Sequence, residues 1–202
     1  MNIPTVAIVG AGPIGIELAI ALKRRVLDLC RRGLARVFTD RFASPTGFPF
    51  KVVPLEETLR ALNEAVERGK VKYLGVSNFD RDLLEQARRH AETPIVTDQV
   101  PYSLFNRRYA KNGTLAYCQE NDILLMAYTP VDHSELMRSD LVRELAEKYD
   151  ATPHQIALSW LVRQPKVITI PKSENVEHMR ENLASVELEI SEEDARRLTE
   201  MR

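Results

Sequence analysis

Lys72-Tyr73-Leu74-Gly75-Val76-Ser77-Asn78-Phe79-Asp80 is the stretch that decides the fold. Tyr73 to Val76 is short, apolar and partly β-branched, the composition of a buried strand. It stops at Ser77-Asn78, two hydrogen-bonding side chains placed where the strand gives way to a helix. In α/β folds ligands bind just past the C-terminal ends of strands. The same residues also suit a plain turn, with Asp80 as the N-cap of the next helix. Spacing alone leaves both readings open.

Downstream the pattern repeats. Ile95-Val-Thr97 is a second strand, ending in Asp98-Gln99, and Val100 to Asn106 reads as a loop. A helix from about Tyr109 to Glu120 leads to the strand Ile123-Leu-Leu-Met-Ala127, which ends in Tyr128-Thr129-Pro130. After a polar loop, helices are expected at Ser139–Tyr149 and Thr152–Arg163, the second with a capping threonine followed by proline. Val167 to Ile170 is the last strand, ending in Pro171-Lys172-Ser173. Helices follow from about Asn175 and from Ser191, where Ser191-x-x-Asp194 has the capping-box pattern. Upstream, Leu55, Leu59, Leu62 and Val66 recur at helical spacing between Pro54 and Gly69. Helices and strands thus alternate. Every strand is a continuous apolar run, which predicts a parallel sheet buried on both faces. Strand endings that all carry polar or aromatic groups predict a ligand rim.

The first fifty residues are of another kind. Thr5-Val-Ala-Ile-Val9 reads as a strand, Gly10-Ala-Gly12-Pro-Ile-Gly15 as a glycine turn, and Ile14 to Arg25 as a helix. A strand, G-x-G-x-x-G and helix is the context of a Rossmann-like βα unit, whose glycines let backbone approach a pyrophosphate. The turn resembles that of flavin-dependent pyridine-nucleotide oxidoreductases, over about residues 1–25. The acidic residue that should follow a second strand comes late, as Asp40 after Arg36-Val-Phe-Thr39. A loop-like run, Ala43 to Phe50, comes next. The expected organisation is an N-terminal βα unit over 1–50 and a second unit over 51–202.

Composition narrows the function classes. The chain has 202 residues, 44% hydrophobic and 28% charged, and a net charge of −1. That charge offers no field for nucleic acid or a membrane surface. Two cysteines, Cys30 and Cys118, make no disulfide framework. The apolar start is broken by Glu17 and three glycines and lacks a cleavage pattern, so a folded cytoplasmic protein is expected.

From residue 52 onward the motifs resemble the second half of the aldo-keto reductase family. They are Leu55-Glu-Glu-Thr-Leu-x-Ala-Leu, Gly69-Lys-x-Lys-Tyr-Leu-Gly-Val-Ser-Asn-Phe79, Asp98-Gln-Val-Pro-Tyr-Ser103, Ala127-Tyr-Thr-Pro130, Ile170-Pro-Lys-Ser173 and Arg180-Glu-Asn-Leu183. The resemblance implies a partial (β/α)8 (TIM) barrel that binds NADP(H), or NAD(H), at its strand ends. It implies that Ser77, Asn78 and Gln99 bond the nicotinamide carboxamide and that Tyr128 stacks on the ring. It places Thr129 and Pro130, with Val131, along the pyrophosphate. Lys172 and Ser173 would meet the 2′-phosphate, and Glu181 and Asn182 the adenine. One departure is His178, where the family usually has an arginine. Arg180, two residues on, points about 200° around a regular helix.

The family's catalytic Asp, Tyr, Lys and His come from the half of the barrel that precedes these motifs. Here nothing before Tyr73 is tyrosine and nothing before His90 is histidine. No catalytic residue is therefore assigned, and Tyr102 and Tyr109 are the nearest replacements for the acid. A half-barrel leaves open edges. The N-terminal strand, or one near Arg36, could cover them; so could a second copy in a homodimer; or the chain is a fusion or truncation product. Three functions stay open: a carbonyl-reducing oxidoreductase, a catalytically silent nucleotide-binding module, and an interaction protein. A flavoprotein led by Gly10, Gly12 and Gly15 is a fourth.

Overall fold

The computed structural model describes residues 6–9 and 54–201. Its centre is a parallel sheet of five strands: β1 (Val6–Val9), β2 (Tyr73–Ser77), β3 (Ile95–Pro101), β4 (Leu124–Tyr128) and β5 (Val167–Thr169). They stand side by side in chain order. Every crossover therefore steps in one direction. With crossovers of one hand, such stepping keeps the connecting helices on one face, as in a barrel wall, whereas a doubly wound sheet reverses its order. β1 pairs with β2 in register Val6↔Tyr73 to Val9↔Val76, so the N-terminal strand does extend the sheet. The glycine turn (Gly10, Gly12, Gly15), the helix expected from Ile14 and the strand expected at Arg36 lie outside the described residues.

Nine helices are described: α1 (Leu55–Glu67), α2 (Arg81–His90), α3 (Arg108–Lys111), α4 (Thr114–Glu120), α5 (His133–Arg138), α6 (Asp140–Lys148), α7 (Pro153–Val162), α8 (Val176–Ala184) and α9 (Glu192–Glu200). α1 buries Leu59 and Leu62 from its apolar stripe and stops at Gly69, whose φ of +67° is left-handed. Asn63 on α1 finishes α2: its Nδ2 donates to His90 O at 2.9 Å, and its Oδ1 accepts from Glu92 N at 3.1 Å. α7 opens with a full capping box, Thr152 with Gln155, and Pro153 in its first turn. It buries Ile156 to Leu161 without a break, as expected of a helix packed on several sides. Two apolar cores result. One joins α1, α2, β2 and the start of β3, around Leu74, Val76 and Leu84; the other joins β3 to β5 with α6, α7 and α9. Each fully buried leucine contributes about 1.5–3 kcal/mol. Among the described residues no helix is long and apolar enough to cross a membrane.

The structure corrects the sequence reading in five places. First, β2 is buried on both faces from Leu74 to Ser77, but β4 and β5 are not. β4 and β5 alternate between buried and half-buried residues, with Leu125, Ala127, Val167 and Thr169 toward the helices. Apolar residues on both faces of these two strands hide that asymmetry in the sequence. Second, β3 runs on to Pro101, because Val100 and Pro101 pair with Ala127 and Tyr128. Asp98 and Gln99 thus lie within the strand. Third, the helix expected at 109–120 is two helices, broken at Gly113 with φ +84°. Fourth, the polar loop before Ser139 contains α5, capped by Asp132 Oδ1, which accepts from Ser134 N at 3.0 Å and Glu135 N at 3.2 Å. Fifth, the Ser191 pattern is half a capping box. Ser191 Oγ accepts from Asp194 N, but the Ser191 amide donates to the Tyr149 hydroxyl instead of to Asp194.

Candidate functional site

The decisive corner lies where β2, β3 and β4 end together. The register sets Ser77 beside Gln99 and Gln99 beside Met126, one row across three strands. One step further, Pro101 lies beside Tyr128. After Ser77 the backbone turns through Asn78 at φ 62°. That conformation is uncommon for any residue but glycine, and asparagine tolerates it best. Neighbouring strands hold it. Asn78 N donates to Gln99 O at 2.9 Å, and Phe79 N donates to Asp98 Oδ1 at 3.4 Å. The Tyr128 hydroxyl donates to Asn78 Oδ1 at 3.0 Å. Asp80 then caps α2, accepting from Leu83 N at 2.9 Å. The cap reading of this stretch therefore holds at Asp80, directly after the Ser77–Asn78 strand end.

The side chains differ in what they can still bind. Ser77 is buried, while Asn78, Gln99 and Tyr128 are half-buried at the strand ends. Gln99 Nε2 reaches Met126 Sδ at 3.5 Å, a weak acceptor that an amide oxygen of a ligand could replace. Burial raises the Tyr128 hydroxyl pKa above its usual range, so the ring presents a neutral aromatic face with a donating hydroxyl. Thr129 follows at φ 49°, a rare backbone for a β-branched residue, and it is exposed, whereas Pro130 is buried. Left-handed residues thus end both β2 and β4. Such strained positions concentrate at ligand-binding sites.

The outer residues form a separate group. Lys172 is exposed, with Nζ 3.6 Å from Glu174 Oε1. Ser173 closes a local turn: its Oγ accepts from Asn175 N at 3.1 Å and donates to Asn175 O at 3.2 Å. Glu181 and Asn182 sit on α8, Glu181 exposed and Asn182 buried. His178 is exposed on the same helix. Glu181 O accepts from Gln155 Nε2 at 3.2 Å and from Ser185 N at 3.2 Å, and Asn182 O accepts from Ser185 Oγ at 2.5 Å.

The expected stand-in acids fare differently. Tyr102 is 2% exposed, its hydroxyl donates to Gln164 Oε1 at 2.7 Å, and its ring lies 5.9 Å from that of Trp160. It belongs to the core behind the sheet and cannot serve the rim, a correction to the expectation from its place in the chain. Tyr109 is buried on α3 near Asp98 and Tyr128, and burial pushes its hydroxyl up to about 12. That makes it a weaker acid than an ordinary tyrosine.

Sequence reasoning missed one member of the corner, Asp98. It lies in the row Val76–Asp98–Leu125, is 0% exposed, and its Oδ2 has no hydrogen-bond partner. A charged residue in an apolar strand, immediately before Gln99, was the available signal.

Comparisons with known proteins agree on one relationship. The profile described as Aldo/keto reductase family matches residues 46–202. The methylglyoxal reductase YeaE of Escherichia coli (strain K12) is 28% identical over 174 residues, covering 83% of this chain and 61% of that protein. The glyoxal reductase of Bacillus subtilis (strain 168) is 32% identical over 139 residues, covering 69% and 49%. Among solved structures, a thermostable aldo-keto reductase in complex with the inhibitor epalrestat superposes with a TM-score of 0.69 at 43% identity, over 75% of this chain and 56% of that one. An aldo-keto reductase from Klebsiella pneumoniae in complex with NADPH gives 0.64 at 31% identity, over 72% and 53%. The chain spans about half the length of most of the curated relatives it matches, and 61% of YeaE.

Proposed function

The chain belongs to the aldo/keto reductase family, and from that premise we propose that its strand-end rim binds NADP(H) as the nucleotide half of a carbonyl-reducing oxidoreductase. The observation that carries this reading is the convergence of Asn78, Gln99 and Tyr128 from three adjacent strands onto one corner. A carboxamide needs a donor and an acceptor side by side, and Ser77, Asn78 and Gln99 supply both types. A flat heteroaromatic ring needs an aromatic face, and Tyr128 supplies one. Thr129 and Pro130 continue toward the pyrophosphate. Lys172 and Ser173 present an ammonium and a hydroxyl suited to a 2′-phosphate, and Glu181 and Asn182 offer acceptors for adenine. NAD(H) fits the same corner without the 2′-phosphate contacts. When bound, the nucleotide supplies a hydride for a carbonyl carbon.

What these residues do is bind and orient. Tyr128, held by its hydroxyl on Asn78, fixes the ring position, and Gln99 fixes its rotation. A proton donor is a separate requirement, worth about 10²–10⁴-fold in rate. The state of Tyr102 and Tyr109 favours a second reading, a nucleotide-binding module with little turnover of its own. A second copy pairing along the sheet's open edges, β1 and β5 among the described residues, belongs to the same proposal.

Lys172→Ala tests the phosphate assignment. One charge-assisted contact is worth about tenfold in affinity. The variant should lose about that factor for NADPH and keep its affinity for NADH. Equal losses for the two nucleotides would remove Lys172 from the 2′-phosphate.

A further inference from the structure

Asp98 is a carboxyl that the nucleotide assignment of the rim leaves unused, and its surroundings are odd for an acid. It is fully buried on the helix-covered face of β3, between Val76 and Leu125. The titratable groups that act with it come from the neighbouring elements: Asp80 at the head of α2, Tyr109 on α3, Cys118 on α4 and Tyr128 on β4. None of these is a cation, and Asp80 is a second acid. A carboxylate there would be desolvated with no cation beside it, and burial pushes its pKa well above the usual carboxylate range. Oδ1 accepts from Phe79 N at 3.4 Å, and Oδ2 has no hydrogen-bond partner.

The Asp98 side chain acts on one turn. Asn78 holds a left-handed backbone that relaxes unless it is tied on both sides. Two successive residues of β3 supply the ties: Gln99 O on the Asn78 amide and Asp98 Oδ1 on the Phe79 amide. From β4, Tyr128 ties the Asn78 side chain. We propose that Asp98 is a positioning residue of the nucleotide site, setting the Ser77–Asn78 turn through the Phe79 amide so that Asn78 meets both Tyr128 and the ligand carboxamide. The proposal rests on the nucleotide reading of this corner. It assigns Asp98 no contact with the ligand. It requires only an acceptor at Oδ1, so Asn would serve and an apolar residue would not.

The test compares the full chain with Asp98→Asn and Asp98→Leu, using NADPH and 2′,5′-ADP, which carries the adenine and both phosphate positions but no nicotinamide. Asp98→Asn should hold NADPH within about twofold. Asp98→Leu should weaken NADPH about tenfold and leave 2′,5′-ADP unchanged, because only the carboxamide corner is loosened. Equal weakening of both ligands, or Asn behaving like Leu, would overturn the proposal, as would an unchanged NADPH affinity in the Leu variant. Where Leu prevents folding, Asp98→Val replaces it. Independently of any ligand, the Phe79 amide should be protected from hydrogen exchange in the wild type and in Asp98→Asn. Rapid exchange of that amide in the wild type would also overturn the proposal. Failure of the nucleotide reading looks different: a folded wild type with a protected Phe79 amide that binds neither ligand.

Discussion

Tyr128→Ala lowers NADPH affinity by about 10–100-fold, while Tyr128→Phe lowers it only a few-fold. Stacking of a flat base on an aromatic side chain is worth about 1–3 kcal/mol by alanine substitution, and about 1.4 kcal/mol is one factor of ten. The ring also carries the one side-chain bond described between β4 and the Asn78 turn, the hydroxyl to Asn78 Oδ1 at 3.0 Å. Alanine removes both contributions, whereas phenylalanine removes only the bond. Burial keeps the Tyr128 hydroxyl protonated well above neutral pH, so the difference between the two variants should not change between pH 6 and pH 8. Isothermal titration of the two variants measures the split. Equal losses would mean that the ring does not stack and acts only as a tether for Asn78. No loss in either would remove Tyr128 from the site.

The second large effect concerns stability. Asp194→Asn should lower the thermal midpoint at pH 7 by about 5–10 °C. Asp194 heads α9 and is 1% exposed, yet it gathers four partners. Its Oδ2 accepts from Lys148 Nζ at 2.7 Å, the Tyr149 hydroxyl at 2.5 Å and Ser191 Oγ at 2.8 Å. Its Oδ1 accepts from Arg197 Nη1 at 3.1 Å, and Arg197 also pairs with Glu144 through two contacts of 2.9 Å. An amide cannot accept from all of these, and its own N–H₂ would face Lys148 and a hydroxyl. The hydrogen bonds from Lys148 and then Tyr149 hold the Asp194 carboxyl far below the usual carboxylate range. A folded pKa below the unfolded value of about 3.9 means that this stabilisation is present above that pH and is lost as pH falls through the folded pKa. The gap between wild type and Asp194→Asn should therefore narrow as the pH is lowered from about 5 toward 2. A gap that stayed constant would show that the charge on Asp194 contributes nothing. Asp98 has the opposite sign: its raised pKa makes its burial cheapest in acid and more unfavourable as pH rises.

These two aspartates mark the limits of what the sequence shows. Ser191-x-x-Asp194 is legible as a helix start, because capping is local. That Lys148 and Tyr149 reach the same carboxyl is not, since they come from the C-terminal end of α6 and the residue after it, more than forty residues upstream. Asp98 is legible only as a strand-end acid; its burial depends on Val76 and Leu125 flanking it across the sheet. The succession of strands along the chain, and the polar or aromatic endings at Ser77, Asn78, Gln99 and Tyr128, are readable because each strand carries its own ending. The gathering of Asn78, Gln99 and Tyr128 at one corner was not, since it needs the register that pairs Ser77 with Gln99 and Pro101 with Tyr128. Tyr102 misled for the same reason. Its place three residues after Gln99 looks like the rim, but the chain has by then turned back over Trp160 toward Gln164. Strand burial is legible only in part: β4 and β5 are apolar on both faces, yet Leu124, Met126 and Ile168 are only half-buried.

The most direct measurement is titration of the folded, monodisperse chain with NADPH, followed by calorimetry and by the fluorescence of the reduced nucleotide, with NADH titrated alongside. Saturable binding of one NADPH per chain, tighter than that of NADH, is the expected result. A monodisperse, folded chain that leaves the nucleotide signal unchanged would contradict the assignment of a nucleotide rim to the ends of β2, β3 and β4.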